Sequence, residues 1–137
     1  AEVVQRRVNF LKNVREELGL KNVDILGRNI NETCMYPVKG VITRAVEDSR
    51  NTLGNVLYCL RNGGRVFLMK GPNVDPEIPM ALDKWGEYFK LENDFKYDLP
   101  KSTHHRRLLV FRKIKPAPIR DLDRDLDDAF DADKGDD

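Results

Sequence analysis

Apolar positions along the chain fall into distinct rhythms. Near the start, Val4, Val8, Leu11, Val14 and Leu18 recur three or four residues apart with Phe10 beside them. Gln5, Arg6, Asn9, Lys12, Asn13 and Glu16 lie between. This spacing predicts an amphipathic helix over 3–18, closed by Gly19, with Leu20 supplying the contact that accompanies such a cap. The stretch 22–26 is a short strand candidate, followed by turn-rich residues 27–31. A second strand candidate spans 38–43, with Arg44 leaving its carboxyl end. Leu53, Val56, Leu57 and Leu60 then mark one face of a helix over 49–61, with Ser49 as its cap.

Gly63-Gly64 predicts a chain reversal, and 66–70 reads as a strand buried on both faces, ended by Gly71-Pro72. Past Pro72, Pro76 and Pro79, the residues Met80, Leu82, Trp85 and Phe89 predict a helix over 79–89. The last two strands, 95–99 and 108–114, have too few residues between them for a crossover helix, so their pairing is predicted to be antiparallel. Two helix-then-strand units and a closing hairpin give an α/β fold with an open sheet. The 137 residues suit one domain over 1–114, with a proline-broken linker and an acidic, disordered tail over 115–137.

Charge changes the picture. The net charge is +1, yet residues 121–137 hold nine aspartates against Arg124 and Lys134, which leaves +8 on residues 1–120. A basic body with an acidic tail points toward a polyanionic partner such as RNA, although an ordinary soluble domain carries such a surplus too. His104, His105, Arg106 and Arg107 form a basic knot suited to phosphates, or to a solvated hairpin end. Adjacent histidines without further ligands make no metal site. Asp121, Asp123 and Asp125 lack the glycine and closing glutamate of a calcium loop. Cys34 and Cys59 have neither metal-like nor disulfide-framework spacing, which suits reduced thiols and a cytoplasmic setting. No apolar run approaches the ~18 residues of a membrane span, and no signal peptide is expected, since arginines interrupt the apolar residues at the start.

Four stretches carry a family resemblance. They are Glu2-Val3-Val4-Gln5-Arg6-Arg7-Val8-Asn9-Phe10-Leu11; Leu18-Gly19-Leu20-Lys21-Asn22-Val23 leading to Gly27-Arg28; Val41-Ile42-Thr43-Arg44-Ala45-Val46; and Gly63-Gly64-Arg65 through Lys70-Gly71 to Arg106-Arg107-Leu108-Leu109-Val110-Phe111-Arg112-Lys113. In this order the chain resembles the small-subunit ribosomal RNA guanine-N7 methyltransferases, the glucose-inhibited division protein B family. The resemblance implies a Rossmann-like class I methyltransferase sheet, S-adenosylmethionine as cofactor, and ribosomal RNA or the small ribosomal subunit as partner. It implies no general base, because guanine N7 is an exposed lone pair and the sulfonium carries its own leaving group, so positioning supplies the rate.

By the same resemblance, Glu2, Asn29, Ile30 and Arg44 contact the cofactor, while Lys70, His105, Arg106 and Arg107 meet substrate or RNA. Glu2 has a second reading as the complement of a helix N-terminus. Arg44, at the carboxyl end of a central strand, is placed where open α/β sheets hold ligands; its alternative is a salt bridge to Glu47 or Asp48. Lys70 faces cofactor or RNA, or snorkels at a strand end. Ile30 and Lys39 depart from the family pattern, replacing an acid and an aspartate. No glycine-rich loop precedes Glu2. The expectation is therefore the C-terminal part of a larger or split methyltransferase, carrying strands 3 to 7 of the order 3-2-1-4-5-7-6. Its gap would fall mid-sheet, for an N-terminal segment or second chain to fill. A non-catalytic methyltransferase-like RNA-binding or ribosome-associated protein is the alternative. An oxidoreductase of the nucleotide-binding α/β type is a third reading, which the closing hairpin fits less well.

Overall fold

A computed structural model describes residues 1–34, 36–44 and 47–120; the acidic tail lies outside the described residues. Three helices and four strands follow in the order α1 (Gln5–Glu17), β1 (Val38–Arg44), α2 (Ser49–Val56), β2 (Leu60–Lys70), α3 (Glu77–Trp85), β3 (Phe89–Asp98) and β4 (His105–Lys113). The strands form one sheet in the order β1-β2-β4-β3. The β1–β2 pair is parallel, β2–β4 is antiparallel, and β3–β4 is the antiparallel hairpin expected from the short connection.

One face of the sheet is covered. Val66, Leu68, Leu109 and Phe111 point into a core completed by Leu53, Val56 and Leu57 from α2 and Ala81 from α3. The opposite face carries Ile42, Phe67, Met69, Leu108 and Phe95. Ile42 is 70% exposed and Phe95 51% exposed there. Burial along β2 consequently alternates instead of holding on both faces, because the helices that pack on the sheet all lie on one side. Lys113 enters the covered face, where its ammonium donates to the Leu57 and Leu60 carbonyls at 2.6 and 2.7 Å. Two carbonyls left over near the end of α2 are satisfied in this way.

Four expectations are corrected. Residues 22–26 form no strand, since β1 offers them no neighbouring ladder; Leu26 instead accepts the Glu2 N–H at 2.9 Å. Without that strand the four formed ones are contiguous, so the sheet has no central gap and its open side is the outer edge of β1. Gly63 and Gly64 lie within β2. Gly63 takes a φ of 79°, and a Cβ on Gly64 would sit 2.7 Å from the Lys39 carbonyl. The pair thus permits a close strand approach at the β1–β2 irregularity instead of reversing the chain. Finally, α1 buries only Val8, leaving Phe10 65% exposed and Leu18 66% exposed. Its C-terminus does end on Gly19 with a φ of 62°.

Candidate functional site

A cleft opens beside β1, where the loop after α1 crosses toward α2. It has a volume of about 580 Å³, and its walls include Asn29, Ile30, Thr43, Glu47, Thr52 and Asn55. The loop is shaped locally by Asn31, whose side-chain oxygen accepts from the Thr33 N–H at 3.0 Å and its hydroxyl at 2.6 Å. Asn and Asp favour such turns because the short side chain mimics a backbone acceptor. On the α2 side, Glu47 accepts from Thr52 Oγ1 and Asn55 Nδ2 at 3.4 and 3.2 Å. Amide and hydroxyl groups therefore stand next to apolar Ile30, Val41 and Val56, a lining suited to a small molecule with both a polar and an apolar part. Cys34 and Cys59 are free, buried thiols on the same lining. Burial, reinforced by the Cys34 thiol beside it, pushes the Cys59 thiol up from its ordinary value.

The residues singled out from the sequence fall into separate places. Asn29 and Ile30 are in the cleft wall. Glu2 lies at the start of α1, where Oε1 accepts the Val4 N–H at 3.1 Å and stands 3.7 Å from Arg7; that geometry matches the helix-terminus reading. Arg44 follows the wall residue Thr43 and is in register with Met69, which puts it on the uncovered face of the sheet. It is exposed, and no side-chain hydrogen bond or ion pair engages it among the described residues. The pairing with Asp48 does not form; Asp48 instead caps α2 by accepting the Arg50 N–H at 2.8 Å.

Lys70 and Arg107 turn inward. Lys70 is 7% exposed and Arg107 6% exposed. The Lys70 ammonium donates to the Glu47 carbonyl at 2.6 Å and to Glu77 Oε1 at 2.9 Å. Arg107 grips Asp94 through Nε and Nη2 at 2.9 and 2.6 Å and also reaches Asp75 at 2.8 Å. These two paired carboxylates raise the guanidinium above its ordinary value and are themselves held below theirs by the arginine. Burial pulls Glu77 upward, but hydrogen bonds from Lys70 and Ser49 outweigh it and hold the carboxyl low. Both cations are buried and paired with carboxylates, whereas the resemblance implied substrate or RNA contact for Arg107 and cofactor or RNA contact, or snorkelling, for Lys70. His105 and Arg106 stay on the hairpin end, His105 bonded through Nδ1 to Asp98 and Arg106 donating to the His105 carbonyl at 3.2 Å. Asp75, Glu77 and Asp94 were not among the expected site residues. The only sequence signal for them was acidic residues in a proline-rich turn and a strand.

Comparison with known proteins gives these arrangements a context. Residues 1–106 match the family described as rRNA small subunit methyltransferase G. A protein of Bdellovibrio bacteriovorus named ribosomal RNA small subunit methyltransferase G 2 is 62% identical over 122 residues, covering 89% of this chain and 48% of its own length. A namesake from Syntrophobacter fumaroxidans is 40% identical, covering 85% of this chain and 23% of its own length. The chain thus spans about half, or less, of these curated relatives. Among solved structures, an rRNA methylase from Streptococcus thermophilus superposes with a TM-score of 0.57 at 16% identity, over 83% of this chain and 71% of the other. A SAM-dependent O-methyltransferase from Thermotoga maritima gives a TM-score of 0.60 at 16% identity, over 86% and 50%. These likenesses establish the fold as that of class I methyltransferases.

Proposed function

The chain belongs to the rRNA small subunit methyltransferase G family, and from that premise we propose that it forms the cofactor-side wall and closing hairpin of an S-adenosylmethionine-dependent methyltransferase acting on guanine N7 of small-subunit ribosomal RNA in the cytoplasm. The observation that carries this reading is the cleft beside β1, with Asn29 and Ile30 in its wall and Arg44 unengaged at the end of the strand. The residues fit the cofactor. A volume of about 580 Å³ lies within the roughly 300–1,000 Å³ of small-molecule sites. Asn29, Thr43, Thr52 and Asn55 offer donors and acceptors for a nucleoside, and Ile30 and Val41 offer apolar surface for a base. Arg44 offers a guanidinium fork for a carboxylate. When bound, the cofactor supplies an electrophilic methyl group on a sulfonium.

The protein's part is positional. Asn29 and Ile30 hold the ligand from the cleft wall, and Arg44, next to the wall residue Thr43 at the end of β1, meets a charged group that projects past the strand, so that the reacting centre is held toward the base. His105, exposed on the hairpin, and the half-buried Arg106 meet RNA phosphates. The open edge of β1 and the uncovered face with Ile42, Phe67 and Phe95 receive a part of the relatives that this chain does not span. A parallel strand there would pair the free backbone groups of β1 and cover apolar surface.

The test is transfer of a radiolabelled methyl group to small-subunit rRNA, with this chain alone and with the part of the Bdellovibrio bacteriovorus relative that this chain does not span added in trans. The expected result is N7-methylguanine formed in the mixture and lost with Arg44→Ala. RNA binding without any methyl transfer would overturn the enzymatic reading in favour of a binding protein.

A further inference from the structure

Lys70 and Arg107 are direct partners across the antiparallel β2–β4 ladder. Two like charges placed opposite each other destabilise a sheet unless something neutralises them. Here the counter-charges for both come largely from one short connection, the β2–α3 loop and its entry into α3. Asp75 reaches back to Arg107 at 2.8 Å and Glu77 to Lys70 at 2.9 Å. The loop is therefore fastened to adjacent strands at two points two residues apart.

The fastening continues beyond the loop. Lys70 also donates to the Glu47 carbonyl at 2.6 Å. Glu77 Oε1 also accepts the Ser49 N–H at 2.8 Å and the Ser49 hydroxyl at 3.0 Å. One lysine–glutamate pair thus joins the end of β2, the start of α3 and the turn from β1 into α2. Glu47 is the hinge of this arrangement, since it lies both on the cleft wall and beside Lys70. Lys70 is buried and Glu77 partly buried, so solvent and salt screen this pair weakly, whereas Asp75 is exposed and its pair with Arg107 is screened more.

We propose that Lys70 and Glu77 are positioning residues that fix the entry into α2 at residues 47–49, and with it the Glu47 side of the cleft wall, while Arg107 with Asp75 braces the β2–α3 loop from the neighbouring strand. They act on a ligand of the cleft without touching it. The ligand part of this inference rests on the cofactor reading above; the positional part does not.

The experiment is hydrogen exchange read by mass spectrometry on the ligand-free 137-residue chain, with S-adenosylhomocysteine affinity measured alongside by calorimetry. The variants are Lys70→Met, Glu77→Gln, their double, the charge-keeping Lys70→Arg, and Val110→Ala as a control that loosens the opposite face. In Lys70→Met and Glu77→Gln, amides over 47–52 are expected to exchange about tenfold or more faster, with β4 protection unchanged, as for a local opening. The double variant is expected to go no further than Glu77→Gln, and Lys70→Arg to recover most of the protection. Affinity is expected to fall about tenfold in Lys70→Met and to hold in Val110→Ala. Unchanged exchange over 47–52, or a rise equally large in Val110→Ala, overturns the proposal. A wild-type chain that takes no S-adenosylhomocysteine instead refutes the cofactor reading, and the exchange data still decide the positioning role.

Discussion

At the scale of single residues, Gly54 shows how packing outranks propensity. It sits in the middle of α2, where glycine costs about 1 kcal/mol relative to alanine. A Cβ there would lie 2.8 Å from Trp85 Cζ2, and Trp85 is fixed by its indole N–H donating to the Arg50 carbonyl at 2.8 Å. Withdrawing the ring would strain that bond. Gly54→Ala should therefore destabilise the chain by about 1–2 kcal/mol despite the better helix former, because overpacking outweighs the propensity gain. Urea unfolding monitored by Trp85 fluorescence checks this; a more stable Gly54→Ala would show that the ring moves freely.

At the scale of elements, the β2–α3 loop depends on carboxylates staying charged. Asp75, Asp94 and Glu77 all have folded values below their ordinary ones. Their contribution is thus fully present above the unfolded carboxylate values near 4, and is lost as pH falls through the lower folded values. Arg107→Gln removes the partner of two of them. Its stability deficit against wild type should be largest near neutral pH and shrink steadily below about pH 4. Urea midpoints at neutral pH and at about pH 3 measure this; a deficit equal at both would contradict the ion-pair account.

The same elements show which parts were legible. The periodicities over 3–18 and 108–114 and the short final connection were enough to place α1, β4 and the hairpin, because local spacing determines them. Gly63-Gly64 was misread because a glycine pair signals a turn only when no neighbouring backbone presses on it, and the neighbour here, Lys39, is 24 residues earlier in the chain. The apolar stripe of α1 was legible as a stripe, but its burial was not, since nothing in the described residues packs over Phe10 or Leu18. Lys70 and Arg107 were recognisable as cations at strand ends. Their inward direction depends on Asp75, Glu77 and Asp94, and no periodicity links those residues to them.

At the scale of the whole molecule, covered and uncovered surfaces divide the labour. One sheet face is sealed by α2 and α3 and stiffened by buried cations. The other face, the β1 edge and most of α1 present apolar side chains to the outside, which a soluble surface of this size rarely does without a partner. Arg44 stands at the carboxyl end of β1 on the uncovered face, one residue past Thr43 of the cleft wall. Among the described residues no helix is long and apolar enough to cross a membrane. On the proposed reading, the cleft beside β1 takes the cofactor and Arg44 meets its charged group from the end of the strand.

Calorimetric titration of S-adenosylmethionine into the 137-residue chain, wild type and Arg44→Ala, tests that most directly. Saturable binding that Arg44→Ala weakens about tenfold, the worth of one charge-assisted hydrogen-bonded contact, is the predicted result. An absence of saturable binding, or an affinity indifferent to Arg44, would contradict it.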